Sequence, residues 1–142
     1  MNKIPSFQKN HNILSVGLHA QTDPNGITTF DLRFKKPNGG NYLSPKAMHT
    51  IEHLMATVLR NSAAGENIVY FGPMGCRTGF YLLTVNMSYS DVRALLKESI
   101  PVALELKEIP GSKKAECGNY LEHDLPEAKQ ELTGYLNILN RF

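Results

Sequence analysis

The chain has 142 residues, 42% hydrophobic and 20% charged, so it can bury one core, leaves no room for two ordinary domains and does not read as disordered. Fifteen Lys and Arg against thirteen Asp and Glu give a net charge of +2, which argues against a charge-driven nucleic-acid binder. No apolar run approaches the roughly 18 residues of a membrane span, and residues 1–12 lack the apolar stretch of a signal peptide, so the expectation is a cytoplasmic protein with no membrane partner.

A single domain is expected over residues 1–142. Residues 12–20 mostly alternate and predict a strand. Asp23-Pro24-Asn25-Gly26 is a turn cluster, and residues 27–34 alternate better, with Phe30, Leu32 and Phe34 on one face and Asp31 and Arg33 on the other. The two strands are expected to form a hairpin. Ser44 and Pro45 are a helix cap and first-turn proline, followed by Ala47, Ile51, Leu54, Met55 and Val58 at helical spacing out to about Asn61. Residues 67–71 and 80–87 are two further candidate strands, separated by a Gly-rich turn that holds Cys76. Ser90-Asp91 opens another helix, which Pro101 should kink or restart. Asp124 and Glu127 predict a capping box on a last helix whose apolar face holds Leu125, Ala128, Leu132, Tyr135, Leu136 and Leu139. Strands cluster early and do not alternate with helices, the pattern of an α+β fold with a mostly antiparallel sheet and helices on one side.

His49-Thr50-Ile51-Glu52-His53 reads H-x-x-E-H. On a helix, residues four apart share a face, so both imidazoles can reach one ion, and Glu52 lies on nearly the same face. Two neutral imidazoles suit Zn(II) or Fe(II), and a carboxylate beside the ion can act as a base. The bland alternative is two histidines that happen to sit one turn apart. A metal needs at least a third ligand, and spacing leaves it among Cys76, Cys117, His123, Asp124, Glu127 and Glu131, with the thiolates leading on chemistry. In a reducing compartment Cys76 and Cys117 are expected as free thiols rather than a disulfide. Cys76, between glycines and beside Arg77, is a candidate reactive thiol; its bland reading is a small buried hydrophobe. His19 reads as an ordinary half-buried histidine, Lys113-Lys114 as a solvated loop, and His123 either orients its loop or supports Cys117.

His49-Thr50-Ile51-Glu52-His53-Leu54, Pro73-Met74-Gly75-Cys76-Arg77-Thr78-Gly79-Phe80-Tyr81, and Cys117-Gly118 followed by His123-Asp124-Leu125 resemble the LuxS family of S-ribosylhomocysteine lyases. Ser6-Phe7 with His11-Asn12, and Phe30-Asp31-Leu32-Arg33-Phe34 with Pro37-Asn38, extend the resemblance in order over nearly the whole chain. It implies a four-stranded antiparallel sheet covered by helices, akin to metallohydrolases. It implies a metal held by His49, His53 and Cys117, Fe(II) in the cell with one ion per subunit, and Zn(II) or Co(II) as substitutes. Glu52 and Cys76 would be the acid–base pair. Ser6, His11 and Arg33, with Phe7 beside them, would contact the ribose, and Arg60 the homocysteine end. The unit would be a homodimer with active sites at the interface, each using residues of both chains.

The implied reaction splits S-ribosylhomocysteine into homocysteine and 4,5-dihydroxy-2,3-pentanedione, the autoinducer 2 precursor, by two carbonyl migrations and elimination of the thioether, without hydrolytic water. Where the family usually reads Asp, an apolar residue and Ser before Pro-Met-Gly-Cys, this chain has Tyr70-Phe71-Gly72, which removes the acid expected at the homocysteine amine. The chain is also shorter than many relatives between the first long helix and Cys76. Two other readings use the same helix motif. A metal-dependent hydrolase of the inverted-zincin type would take Glu127 or Glu131 as third ligand and activate water through Glu52. A non-catalytic metal-binding module would close four protein ligands and leave Glu52 idle.

Overall fold

The alternation of residues 27–34 puts Phe30, Leu32 and Phe34 on one face. In the computed structural model, which describes residues 1–141, that face lies at the centre of the core. It belongs to strand β2 (Ile27–Arg33), which pairs antiparallel with β1 (Gly17–Thr22) through the expected hairpin. The hairpin turn closes on Asp23: its carbonyl accepts from Gly26 N at 3.1 Å, and Gly26 takes the positive φ of 86° that glycine allows without strain. On the other edge of β2 lies β4 (Gly79–Val85), and beyond it β3 (Ile68–Pro73), in the order β1-β2-β4-β3 with every pairing antiparallel.

β1 starts later than the alternation suggested. Residues 10–14 instead form a turn, in which the Asn10 side chain accepts from Asn12 N at 3.0 Å and its carbonyl accepts from Ile13 and Leu14. A local Asx turn thereby outcompetes strand pairing for this backbone.

Three long helices cover one face of the sheet. Helix α2 (Pro45–Arg60) packs on β3, α4 (Leu125–Leu139) touches β1, and α3 (Tyr89–Glu105) packs on both helices. Ala47, Ile51, Leu54, Met55 and Leu59 of α2 are buried against the sheet and its neighbours. Each of the larger ones, Ile51, Leu54, Met55 and Leu59, contributes about 1.5–3 kcal/mol. Tyr135 of α4 stacks on Phe34 at a centroid distance of 4.2 Å. A short additional helix, α1 (Pro5–Gln8), lies against the opposite face of the sheet, where Pro5 and Ser6 meet Tyr81 and Leu83.

Two caps differ from the sequence-based reading. The N-cap of α3 is Ser88 rather than Ser90, in a reciprocal box with Asp91 that holds the Asp91 carboxyl below its usual range through bonds from Ser88. The helix then runs on through Pro101, which sits on the exposed side. At α4 only half of the box forms. Asp124 accepts from Glu127 N at 3.0 Å, while the Glu127 carboxylate reaches across to accept from Ser44 Oγ at 2.8 Å. Ser44 in turn accepts from Ala47 N at 3.1 Å, so one hydroxyl caps α2 and ties it to α4. Ser44→Ala is expected to cost about 1–2 kcal/mol in a urea melt; an unchanged midpoint would mean that the cap contributes nothing to this fold.

Candidate metal centre and active site

The helical spacing of His49 and His53 aims both rings at one point beside the loop that precedes α4. His49 Nδ1 donates to Glu122 O and His53 Nδ1 to Pro110 O, both at 2.7 Å. A carbonyl only accepts, so both Nδ1 atoms carry a hydrogen, and in the neutral rings both Nε2 atoms present bare lone pairs. Those lone pairs face each other at 3.1 Å. Between two neutral rings held this way no hydrogen bond can form, and a cation placed between them removes the repulsion.

The Cys117 Sγ completes a triangle, 3.4 Å from His49 Nε2 and 3.9 Å from His53 Nε2. Tetrahedral coordination with metal–nitrogen bonds of about 2.05 Å and a metal–sulfur bond of about 2.3 Å requires edges of roughly 3.3 and 3.6 Å. The donor atoms therefore fit a divalent ion in both chemistry and spacing.

Of the six candidates for the third ligand, Cys117 and His123 lie beside the histidine pair. The ligand atoms of His49, His53, Cys117 and His123 are all within 4.8 Å of one another. His123 stacks on His49 at 4.0 Å, and its Nδ1 meets Thr50 Oγ1 at 2.9 Å. Its Nε2 is buried with no partner among the described residues. Burial first, then the neighbouring His49 and His53, lowers its pKa and keeps the ring neutral. Thr50 is fully buried and also accepts from Asp124 N at 3.0 Å, so it joins the helix motif to the loop. The two glutamates are engaged elsewhere, Glu127 with Ser44 and Glu131 with Lys35 at 2.8 Å. Glu52, on α2 one residue before His53, is partly buried, and its side chain has no hydrogen-bond partner among the described residues.

Cys76 lies elsewhere. It occupies the tight turn between β3 and β4 and is exposed. Arg77 closes this turn with a φ of 62°, a region that side chains other than glycine adopt only where surrounding bonds enforce it. Those bonds are Arg77 N to Met74 O at 3.0 Å and Leu43 N to Arg77 O at 2.9 Å. The second of them anchors the turn beside the start of α2. Gly79 is required where the strand begins, because a Cβ there would collide with the Leu32 carbonyl.

The Cys76 sulfur lines a cavity of about 160 Å³ with His11, Arg33, Asn38, Tyr42 and Thr78. Arg33 is 1% exposed and Asp31 fully buried; the guanidinium makes two bonds to the carboxylate, at 2.6 and 3.1 Å. Lys9 adds a third contact to Asp31 at 3.1 Å, pinning the N-terminal segment over the sheet.

The sequence-derived substrate contacts thus fall into separate places. His11 and Arg33 share the cysteine cavity. Ser6 borders a neighbouring cavity of about 230 Å³ beside Tyr81, whose phenol burial and Asp31 push above its usual pKa. Phe7 is 68% exposed. Arg60 sits at the far end of α2, about 24 Å of helix from the cap, donating to Val69 O at 3.0 Å. Tyr70, at the position where an acid was expected, folds its ring over Gly72 and occupies the space of the absent side chain. A larger concavity, about 890 Å³ between α2 and α3, contains none of these candidates.

Three functional-site features had no counterpart in the sequence reading: the Asp31 anchor, the Thr50 bridge and the hydroxyl of Thr78. All three residues lie inside the motifs named above, without a role assigned to them; the alternation that puts Asp31 on one face with Arg33 was the available signal for the anchor, and a polar side chain on a buried helix face the signal for Thr50.

A family model described as S-ribosylhomocysteinase (LuxS) matches residues 4–141. S-ribosylhomocysteine lyase of Borreliella afzelii is 46% identical over 147 residues, covering 99% of this chain and 94% of that protein. The proteins of the same name from Phocaeicola vulgatus and Clostridium acetobutylicum are 44% and 46% identical, covering 96% and 90% of this chain and 89% and 85% of theirs. No described helix is long and apolar enough to cross a membrane.

Proposed function

The chain belongs to the S-ribosylhomocysteinase (LuxS) family, and from that premise we propose that it is a metal-dependent lyase that cleaves S-ribosylhomocysteine to homocysteine and 4,5-dihydroxy-2,3-pentanedione. The observation that carries the reading is the pair of bare Nε2 lone pairs at 3.1 Å, completed by the Cys117 sulfur. His49, His53 and Cys117 hold the ion, Fe(II) in the cell and one per subunit, with Zn(II) or Co(II) as substitutes. A bound divalent ion supplies Lewis-acid polarisation of a sugar oxygen.

The chain's own residues move the protons. Cys76, as a thiolate, takes a proton from one sugar carbon and returns it to the next, so the carbonyl moves along the chain. Glu52 transfers protons at the sugar oxygens, and the thioether sulfur finally leaves with its electron pair and is protonated as homocysteine. No water is consumed. His11 and Arg33, in the cavity with Cys76, hold the ribose with Ser6 and Phe7, and Arg60 serves the homocysteine end. The Tyr70 ring in place of an acid leaves the homocysteine amine to other partners.

The working unit is a homodimer in the cytoplasm. In one chain the cysteine cavity and the His–Cys cluster have no lining residue or hydrogen bond in common among the described residues. Two copies arranged about the interface bring the missing half to each site.

The test is thiol release. Protein purified without oxygen and loaded with Fe(II) or Co(II) is expected to liberate one homocysteine thiol per S-ribosylhomocysteine consumed, and a chelator-treated sample none. Absence of release from folded, metal-loaded protein would reject the proposed substrate.

A further inference from the structure

Among the described residues, Thr78 carries the one hydroxyl that touches both the buried arginine and the exposed cysteine. Its Oγ1 is 2.7 Å from Arg33 Nη1 and 3.0 Å from Cys76 Sγ, whereas Arg33 Nη1 itself is 3.9 Å from the sulfur. A guanidinium only donates, so in the short contact Thr78 must be the acceptor. Its own hydrogen is then free, and the sulfur lies within its reach. A thiolate can only accept, so with Cys76 ionised the direction of both bonds is set: Arg33 donates to Thr78, and Thr78 donates to Cys76.

The surroundings leave this hydroxyl little freedom. Thr78 is 2% exposed and Arg33 1%, and the guanidinium is fixed from behind by its two bonds to fully buried Asp31. The Thr78 backbone is fixed as well, since its carbonyl accepts from Phe34 N and Lys35 N, both at 2.9 Å. The bond to the sulfur is polarised by the arginine charge at its buried end, on the Thr78 hydroxyl.

We propose that Thr78 is a positioning residue for the reaction: its hydroxyl, oriented by Arg33, donates to the Cys76 sulfur, stabilises the thiolate and aims it into the cavity shared with His11. The role of Cys76 in proton transfer is taken from the function proposed above; the contact itself stands on geometry. The competing account is that Thr78 merely satisfies a buried arginine, in which case its loss would lower stability and leave the sulfur's reactivity untouched.

The experiment compares Thr78→Val and Thr78→Ser with the parent, all metal-loaded so that Cys117 stays ligated. Valine keeps the β-branched shape and removes the hydroxyl; serine keeps the hydroxyl. Alkylation of Cys76 by iodoacetamide at neutral pH, located by peptide mass, is read beside kcat and KM. Thr78→Val should slow alkylation roughly tenfold to hundredfold, with a matching fall in kcat and KM within about twofold. Thr78→Ser should stay within about threefold of the parent on every readout. If valine does not fold, as judged by its melt, Thr78→Ala takes its place. Alkylation of the folded hydroxyl-less variant at the parental rate would overturn the proposal. Slow alkylation with parental turnover would leave the contact standing and reject Cys76 as the proton carrier, so the two failures are distinguishable.

Discussion

Cys76→Ser is expected to abolish turnover while leaving about one metal ion per chain. Serine fills nearly the same space, and its hydroxyl can still meet Thr78 Oγ1, which lies 3.0 Å from the sulfur of the parent. What serine cannot do is ionise near neutral pH, because an alcohol is a far weaker acid than a thiol. A group that must take a proton from a sugar carbon and return it to the next is then missing from both carbonyl migrations. Loss of a single positioned acid–base group typically costs about 10²–10⁴-fold, and here the same group serves two successive steps, so the fall should lie at the upper end of that range. The metal is expected to stay because Cys76 shares no cavity with the His49–His53–Cys117 cluster and makes no contact with it among the described residues. Thiol release and elemental analysis on the same sample check both halves. Metal lost together with activity would make Cys76 a ligand and remove it from the acid–base role.

The fold was legible wherever the determining contacts are local. The cap at Ser44, the proline at the first turn and the apolar spacing through Met55 mark α2 in the sequence, and the helix forms there. The two imidazoles of H-x-x-E-H converge for the same reason: four residues of helix place them side by side. Legibility ends where two segments far apart in the chain meet. The Glu127 carboxylate looked committed to its own helix terminus, yet it reaches a hydroxyl 83 residues away. Cys117 was one of six candidate ligands on spacing alone; folding of the loop before α4 brings it to the pair while Glu127 and Glu131 bond elsewhere.

The hidden part of the surroundings of Cys76 follows the same logic. Asp31 and Arg33 alternate away from the core and would ordinarily face water, but the N-terminal segment covers them, with Lys9 bonded to Asp31. Burial converts an unremarkable strand pair into a fixed charge behind the cysteine turn. The relation of Thr78 to Arg33, 45 residues apart, required the β2–β4 register. In β1 the failure was local: alternation continued back through residues 12–16, and the Asn10 side chain turned the backbone before pairing could begin.

Cys117→Ala should lose the metal and keep the fold. The residue lies in the loop before α4 and is partly exposed, so truncating it removes little packing. The two Nε2 atoms would remain at their carbonyl-fixed positions, but two imidazoles without the thiolate give a neutral, open-sided site with no anionic donor to offset the ion's charge. After dialysis against a chelator the variant is expected to retain less than about a tenth of an ion per chain. Its melting temperature should also stop rising on addition of Zn(II), because an ion that binds the folded chain stabilises it only in proportion to its affinity. The melt separates loss of ligation from loss of structure: a cooperative transition near that of the chelated parent establishes that the chain is folded. Retention of one ion would reject Cys117 as the third ligand. The donor then indicated is His123, since its Nε2 is buried without a partner beside the pair, whereas Asp124 already accepts at the start of α4.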